Sequence, residues 1–419
     1  MTTSNKALEN IRVIDMTRVL AGPFCTQMLG DMGADVIKIE KPASHNNAGG
    51  DDTRKWGPPF AKDADGNDTT ESAYYLSANR NKRSLALDIT TPQGQDIIHA
   101  LLAKSDVLIE NFKVGGLAKY GLSYNDIKDR HPHIVYVSIT GFGQSGPLAD
   151  EPGYDFLAQG LSGLMACTGA PDAPPMKVGV ALSDVMTGQN AAIGILAALN
   201  ARHNTGRGQH VDLSLLDSSV ASMVNLAQYY LTSGNTAPRL GNAHSTIVPY
   251  QVFASSDGHI ILAVGNDGQF ADFCRVIGKE EWARDEKFNT NPARVANRET
   301  LIPMISEIIA AQTTSHWIKT LPQNNVPCGP VNTMDQVFQM PQIAARDMTI
   351  TMHHDASQQD ITLVGSPLKF SDTPVSYDRA PPSCGQDSHA VLSSVLDMSD
   401  AEIKTLRAQG TIEICNKTT

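Results

Sequence analysis

The chain opens with short apolar runs separated by stretches of helical period. Residues 11–15 read as a strand, Gly22 and Pro23 break it, and residues 24–29 begin a helix. Further apolar strands fall at 36–39, 85–88, 107–109 and 134–139, the last running into the turn Gly141-Phe142-Gly143. A helix near 93–103 separates two of them, and helices near 185–203 and 218–231 flank a strand at 210–215. Strands alternating with helices of this length predict βαβ units and a parallel sheet, hence an α/β fold.

The texture changes after Ser233. A loop rich in Gly, Asn and Pro leads to Pro249, and strands at 250–254 and 259–264 are joined by the hairpin turn Ser255-Ser256-Asp257-Gly258. Helical segments follow at 269–277 and 301–311. The expected organisation is a large α/β domain over 1–227 and a smaller α+β domain over 228–330. Residues 331–419 form a linker and a C-terminal part that returns to the large domain, with a turn-rich stretch at 371–388 and a last helix at 400–408.

With 419 residues, 41% hydrophobic and 18% charged, the composition is that of a globular protein of more than one structural unit. A net charge of -11 argues against nucleic-acid or polybasic membrane partners, though a local basic cluster can still hold an anion. The six cysteines are scattered without metal-like spacing, so free thiols and no metal are expected. The first ten residues lack the pattern of a signal or transit peptide, and no run is apolar enough to span a membrane; a cytoplasmic location is expected.

A parallel sheet invites a dinucleotide reading, but no GxGxxG follows the first strand, and P-loop, HExxH and GxSxG motifs are missing. The candidate chemistry lies elsewhere. Asp184 stands between an apolar run and a long helix, where helix N–H groups and the macrodipole favour its ionised form. That suits a carboxylate nucleophile, yet an ordinary helix cap explains the pattern as well. Gly241-Asn242-Ala243-His244 is a polar loop at the domain change, either a lid or a plain linker. Lys41, Arg80, Lys82 and Arg83 are basic spots that hold phosphates or simply face water.

Several phrases in order carry a family resemblance. They are Ile14-Asp15-Met16-Thr17-Arg18-Val19-Leu20-Ala21-Gly22-Pro23, Gly33-Ala34-Asp35-Val36-Ile37-Lys38-Ile39-Glu40, Asn81-Lys82-Arg83-Ser84, Asp106-Val107-Leu108-Ile109-Glu110-Asn111-Phe112, Thr205-Gly206-Arg207-Gly208-Gln209 and Val326-Pro327-Cys328-Gly329-Pro330. Together they resemble the class III CoA-transferase family, which includes formyl-CoA transferase and carnitine CoA-transferase. The resemblance implies a Rossmann-like large domain and an obligate homodimer of interlocked rings. It implies acyl-CoA and a carboxylic acid as substrates, with no tightly bound cofactor.

Residue by residue, the family's catalytic aspartate matches Asp184, and its CoA contacts match Val19, Leu20, Ala21, Lys41, Lys82, Asn111, Phe112 and Lys119. Leu20 stands where a well-known member has Gln, so only backbone or packing contact is expected of it. Lys41 and Lys119 replace arginines and lose the planar fork. A branch of the family, the α-methylacyl-CoA racemases, abstracts a proton with a His; the matching position here is Tyr154, whose ordinary pKa near ~10 makes a poor base. The phrase from Gly241 to Gln251 resembles the branch containing succinate–hydroxymethylglutarate CoA-transferase and bacterial enzymes that use succinyl-CoA, and Asp52-Thr53-Arg54 with Trp56-Gly57-Pro58 resembles oxalate-using members; both resemblances imply short dicarboxylates. Arg54 or His244 is then expected to hold the acceptor's free carboxylate.

Overall fold

In the computed structural model, which describes residues 6–43 and 49–415, the alternating pattern becomes a seven-stranded sheet. Six strands are parallel: β1 (Arg12–Met16), β2 (Asp35–Glu40), β3 (Lys82–Leu87), β4 (Val107–Glu110), β5 (Val135–Thr140) and β6 (His210–Ser214). Their spatial order is 3-2-1-4-5-6, and a short strand, Ile412–Glu413, pairs antiparallel with the outer side of β3.

The side-chain period of two decides the two faces of this sheet. Val13, Val36, Val107 and Ile109 point to one face, where they pack with helices α1 (Ala21–Asp31) and α2 (Leu182–Thr205). Ile14, Ile37, Leu85 and Leu108 point to the other, against the helices Pro92–Leu102, Ser388–Leu396 and Asp400–Ala408. Because both faces are covered, the strands read as continuous apolar runs rather than alternating ones. Each fully buried aliphatic side chain contributes about 1.5–3 kcal/mol.

Where α1 and α2 meet, a Cβ on Gly188 would stand 2.5 Å from the Ala21 carbonyl oxygen. Only glycine allows that backbone approach. It fixes the first turn of α2 beside the start of α1, which positions Asp184.

The chain divides into two compact units. The first comprises Met1–Ser162, Gly179–Val224 and Gln342–Thr419. The second comprises Gly163–Val178 and Asn225–Pro341, so it starts earlier and ends later than the expected 228–330 and takes in a segment upstream of α2. Its three-stranded antiparallel sheet has the order Cys328–Pro330, His259–Ala263, Tyr250–Ala254. The expected hairpin turn is closed by the Ser255 N–H donating to the Gly258 carbonyl at 3.0 Å. Phe253, Phe270, Phe273, Trp282 and Trp317 build its core. No helix among the described residues is long and apolar enough to cross a membrane, and no disulfide joins the cysteines among them.

Candidate active site

From β1 the chain runs outward through β2 and β3, then returns to lay β4, β5 and β6 on the other side. The connections after β1 and β4 therefore diverge, and an open α/β sheet binds ligands in the crevice this leaves at the strands' carboxyl ends. A cavity of about 440 Å³ lies there. It is lined by Arg18 to Ala21 after β1, Asn111 and Phe112 after β4, Thr140 and Gly141 at the end of β5, Tyr154 and Asp155, and Asp184. The structure thus brings Val19, Leu20, Ala21, Asn111, Phe112, Tyr154 and Asp184 together within the first unit.

The loop after β1 is held in an unusual conformation. Val19 has φ +73°, a strained value for a β-branched residue, and such strain persists only where neighbours enforce it. The Asn111 side chain accepts the Arg18 N–H at 3.0 Å and donates to the Arg18 carbonyl at 2.7 Å, joining the two loops. The Val19 N–H donates to Asp51 Oδ1 at 3.3 Å. Asp51 is buried, which alone would raise its pKa, but Lys38 Nζ at 2.9 Å and the Thr53 hydrogen bonds outweigh burial and hold it at about 2. Lys38 also donates to the Thr17 carbonyl at 3.0 Å.

Asp184 is the third residue of α2 and only 9% exposed. It is not the cap: Ala181 occupies that position, without a side-chain bond. The expectation that the helix start keeps Asp184 ionised is corrected by the geometry. The Ser183 N–H donates instead to Asp155 Oδ1 at 2.8 Å, and Gln159 Nε2 donates to Asp155 Oδ2 at 2.8 Å. No hydrogen bond reaches the Asp184 carboxylate among the described residues. Burial, and next the charge of Asp155, push its pKa up to about 7.

Tyr154 is 67% exposed at the cavity wall. Its segment is set by Gly153, whose Cβ, if present, would lie 2.2 Å from Gly141 Cα. The chain after β5 folds back onto the strand end at backbone contact.

A second cavity, about 350 Å³, shares Arg18, Asp52 and Phe112 with the first and is lined by Lys41 and Tyr120. Lys41 is exposed, and Lys119, also exposed, holds its Nζ 4.8 Å over the Tyr120 ring.

Two expected site residues are structural instead. Lys82 is buried, and its Nζ donates to Asp15 (3.2 Å), the Pro23 carbonyl (2.9 Å) and Asn79 (2.9 Å). Its three donors are spent, so none is left for a CoA phosphate. Burial pulls its pKa down to about 8. Arg54 is buried with its guanidinium divided among Glu40 (2.9 and 2.7 Å), Glu71 (2.8 and 2.7 Å), the Tyr75 hydroxyl and the Pro382 carbonyl. It has no donor free for an acceptor acid. Arg80 and Arg83 are likewise paired, with Asp31 and Asp35.

Gly241, Asn242 and His244 belong to the second unit. Gly241 has φ +60° and donates its N–H to the Gly169 carbonyl at 3.0 Å; Asn242 is exposed. His244 Nδ1 accepts the Thr246 N–H at 3.1 Å, and the ring meets Tyr250 edge-on at 5.4 Å.

Two carboxyls, the half-buried Asp155 and the buried Glu110, escaped the sequence reading. Asp155 was legible only as an acid opening a helix, with Gln159 one turn on. Glu110 ends β4, accepts the Phe112 N–H at 2.7 Å, and is pushed by burial to about 7. The run Val107-Leu108-Ile109-Glu110 gave its place but not its burial.

A doubly wound sheet with a buried carboxylate lining the cavity at its switch point defines an α/β protein with a candidate active site. The chain belongs to CoA-transferase family III, whose model matches residues 8–388. It is 45% identical to a succinate–glutarate CoA-transferase of Agrobacterium fabrum, over 94% of this chain and 97% of that protein. It is 42% identical to the human succinyl-CoA:glutarate CoA-transferase, over 97% of this chain and 90% of the relative. A solved CAIB/BAIF family protein from Brucella suis is 43% identical, with a TM-score of 0.81 over 93% of this chain and 100% of that one. The chain is therefore a class III CoA-transferase.

Proposed function

We propose that the enzyme moves CoA from succinyl-CoA to a second short dicarboxylate, with Asp184 as nucleophile. The observation that carries this reading is Asp184 itself: a buried carboxylate, without hydrogen-bond partners among the described residues, on the wall of the switch-point cavity. Relatives named for succinate, glutarate and mesaconate supply the substrate class.

The chemistry follows from that placement. A carboxylate freed of hydrogen bonds and water is a stronger nucleophile than one in bulk solvent. Asp184 attacks the thioester carbonyl, and CoA thiolate leaves to give a mixed anhydride. The thiolate attacks the aspartyl carbonyl, releasing the donor acid and leaving an aspartyl-CoA thioester. The acceptor carboxylate repeats the steps in reverse, and Asp184 is regenerated. The loop from Arg18 to Ala21 and the Asn111-Phe112 pair flank the acyl-CoA. Lys41 and Lys119 meet its phosphates as point charges beside the second cavity.

The active form is a homodimer of interlocked rings. In its support, helix Asp155–Leu161 and α2 turn large apolar side chains to solvent, Phe156 at 60%, Leu161 at 54% and Ile193 at 65% exposure. A second copy covering them removes an otherwise unfavourable surface.

The test is a panel of acyl-CoA donors against mono- and dicarboxylates, with products read by mass spectrometry, for the wild type and Asp184→Ala. Hydroxylamine or borohydride trapping should mark Asp184 in turning-over enzyme. A turnover-competent Asp184→Ala variant, or a label elsewhere, refutes the assignment.

A further inference from the structure

Two consecutive peptide groups lead into Val19, and side chains from elsewhere in the first unit bind every polar atom of both. In the peptide between Thr17 and Arg18, the carbonyl accepts from Lys38 Nζ at 3.0 Å and the N–H donates to Asn111 Oδ1 at 3.0 Å. In the peptide between Arg18 and Val19, the carbonyl accepts from Asn111 Nδ2 at 2.7 Å and the N–H donates to Asp51 Oδ1 at 3.3 Å. Lys38 Nζ also meets Asp51 Oδ2 at 2.9 Å, and neither of these two side chains is exposed. The three clamping residues come from separate places: Lys38 from within β2, Asp51 from the segment after it, Asn111 from just after β4.

A buried ion pair is often no more stabilising than well-packed apolar side chains of like volume, so stability alone does not account for a lysine inside a covered strand. Burial alone would lower the Lys38 pKa, but the charges of Asp51 and Asp15 outweigh it, and the donor stays charged. What the pair does is local. It faces the backbone conformation that a β-branched residue resists most, Val19 at φ +73°. On the far side of Val19 the chain enters α1 at Ala21, where the backbone is pressed against Gly188 of α2. Val19 therefore joins two fixed pieces, and its strained φ follows from them. Released from the clamp, a valine would relax towards negative φ and carry Leu20 and Ala21 with it.

We propose that Lys38, acting with Asp51, is a positioning residue for acyl-CoA: it holds Val19 to Ala21 in the shape that the substrate meets beside Asp184. Val19, Leu20, Ala21 and Asp184 line one cavity, and all of these residues belong to the first unit. Lys38 and Asp51 are not part of that lining, so their effect on it passes through the loop. Both border the second cavity, which makes direct contact with CoA the competing explanation. The role rests on the reading of the switch-point cavity as the acyl-CoA site given above.

The experiment is a mutant cycle. Wild type, Lys38→Met, Val19→Gly and the double variant are assayed for kcat/KM with succinyl-CoA, glutarate being the acceptor, and circular dichroism checks that each is folded. With Val19 in place, Lys38→Met should lower kcat/KM about ten- to a hundredfold, the range to which strain at such a backbone position converts. Glycine adopts positive φ without penalty, so in the Val19→Gly background the same change should lower it about threefold at most. A lysine that only supports the fold, or that touches CoA from the second cavity, gives equal losses in both backgrounds, and that result overturns the proposal. Should Lys38→Met not fold, Asp51→Asn takes its place in the cycle. It keeps the shape of the side chain, ends the ion pair, and must show the same dependence on residue 19; equal losses again count against the clamp. A wild type inactive with every acyl-CoA donor refutes the acyl-CoA reading itself, whereas an active wild type without coupling refutes only the role of Lys38.

Discussion

The Asp155 carboxylate accepts the backbone N–H of Ser183 at 2.8 Å, one residue before Asp184. The helix start is thereby used to anchor one acid, and the charge so fixed acts on the other. Asp184 is left poised near neutrality, able to exist as a carboxylate at cellular pH without the stabilisation that would blunt its reactivity.

With Asp184 as the proposed nucleophile, activity should fall on the acid side with a single ionisation near pH 7, since only its carboxylate form would attack. Asp155→Asn keeps an oxygen for the Ser183 N–H but removes the like charge. Its acid limb should move to lower pH. The measurement is the pH dependence of kcat/KM for both enzymes; an unmoved limb would show that burial alone sets the value.

Stability should show the cost of that poise. The folded-state pKa of Asp184 lies above its unfolded value of 3.8, so the native state holds the proton more tightly and stability falls as pH rises from about 4 to about 7. The ionised folded form is disfavoured by roughly 4 kcal/mol. Asp184→Asn should melt several degrees above wild type at pH 8 and at the same temperature near pH 4, while losing turnover. Identical melting curves at both pH values would contradict the buried environment.

Arg54→Ala should destabilise rather than alter selectivity. It leaves Glu40 and Glu71 buried without their cation, and breaking such a buried pair costs about 3–5 kcal/mol. Denaturant unfolding should show the loss, and surviving enzyme should keep its ratio of diacid to monoacid activity.

Gly188→Val should uncouple α1 from α2. Its Cβ meets the Ala21 carbonyl at 2.5 Å, and forcing the helices apart costs about 1–3 kcal/mol or more. Because Asp184 lies one turn away, kcat should drop at least tenfold. Retained kcat with reduced Tm would mean the crossing sets stability alone.

The parallel sheet was legible because strands covered on both faces are apolar throughout, and Gly22, Pro23 and Gly141 mark where they stop. The hairpin Thr349–His354 with Gln359–Val364 was not, since one face carries polar residues such as Thr351, His353 and Asp360 at exposed positions and the apolar signal is thin. The helix expected over 218–231 is two, Leu215–Ala221 and Val224–Ser233, with Val224 at φ +36°. Nothing in residue type at Val224 announces that break. The same limit applies to charge. Lys82 and Arg54 look like surface cations in the sequence; burial and pairing with distant acids depend on tertiary approach, which period and composition do not encode. Asp184 was visible as a residue at a helix start, whereas its raised pKa depends on burial and next on Asp155, 29 residues earlier in the chain.

The sheet's last strand has a consequence for how the protein is made. Ile412–Glu413, laid against β3, leaves the ribosome some 325 positions after its partner. The second unit is complete by Pro341, so during synthesis it has all its parts before the first unit does. For that interval the outer edge of β3 stands open, a ready template for pairing with another nascent chain. Emergence of Ile412–Glu413, rather than of Asp184, is the event that seals the sheet.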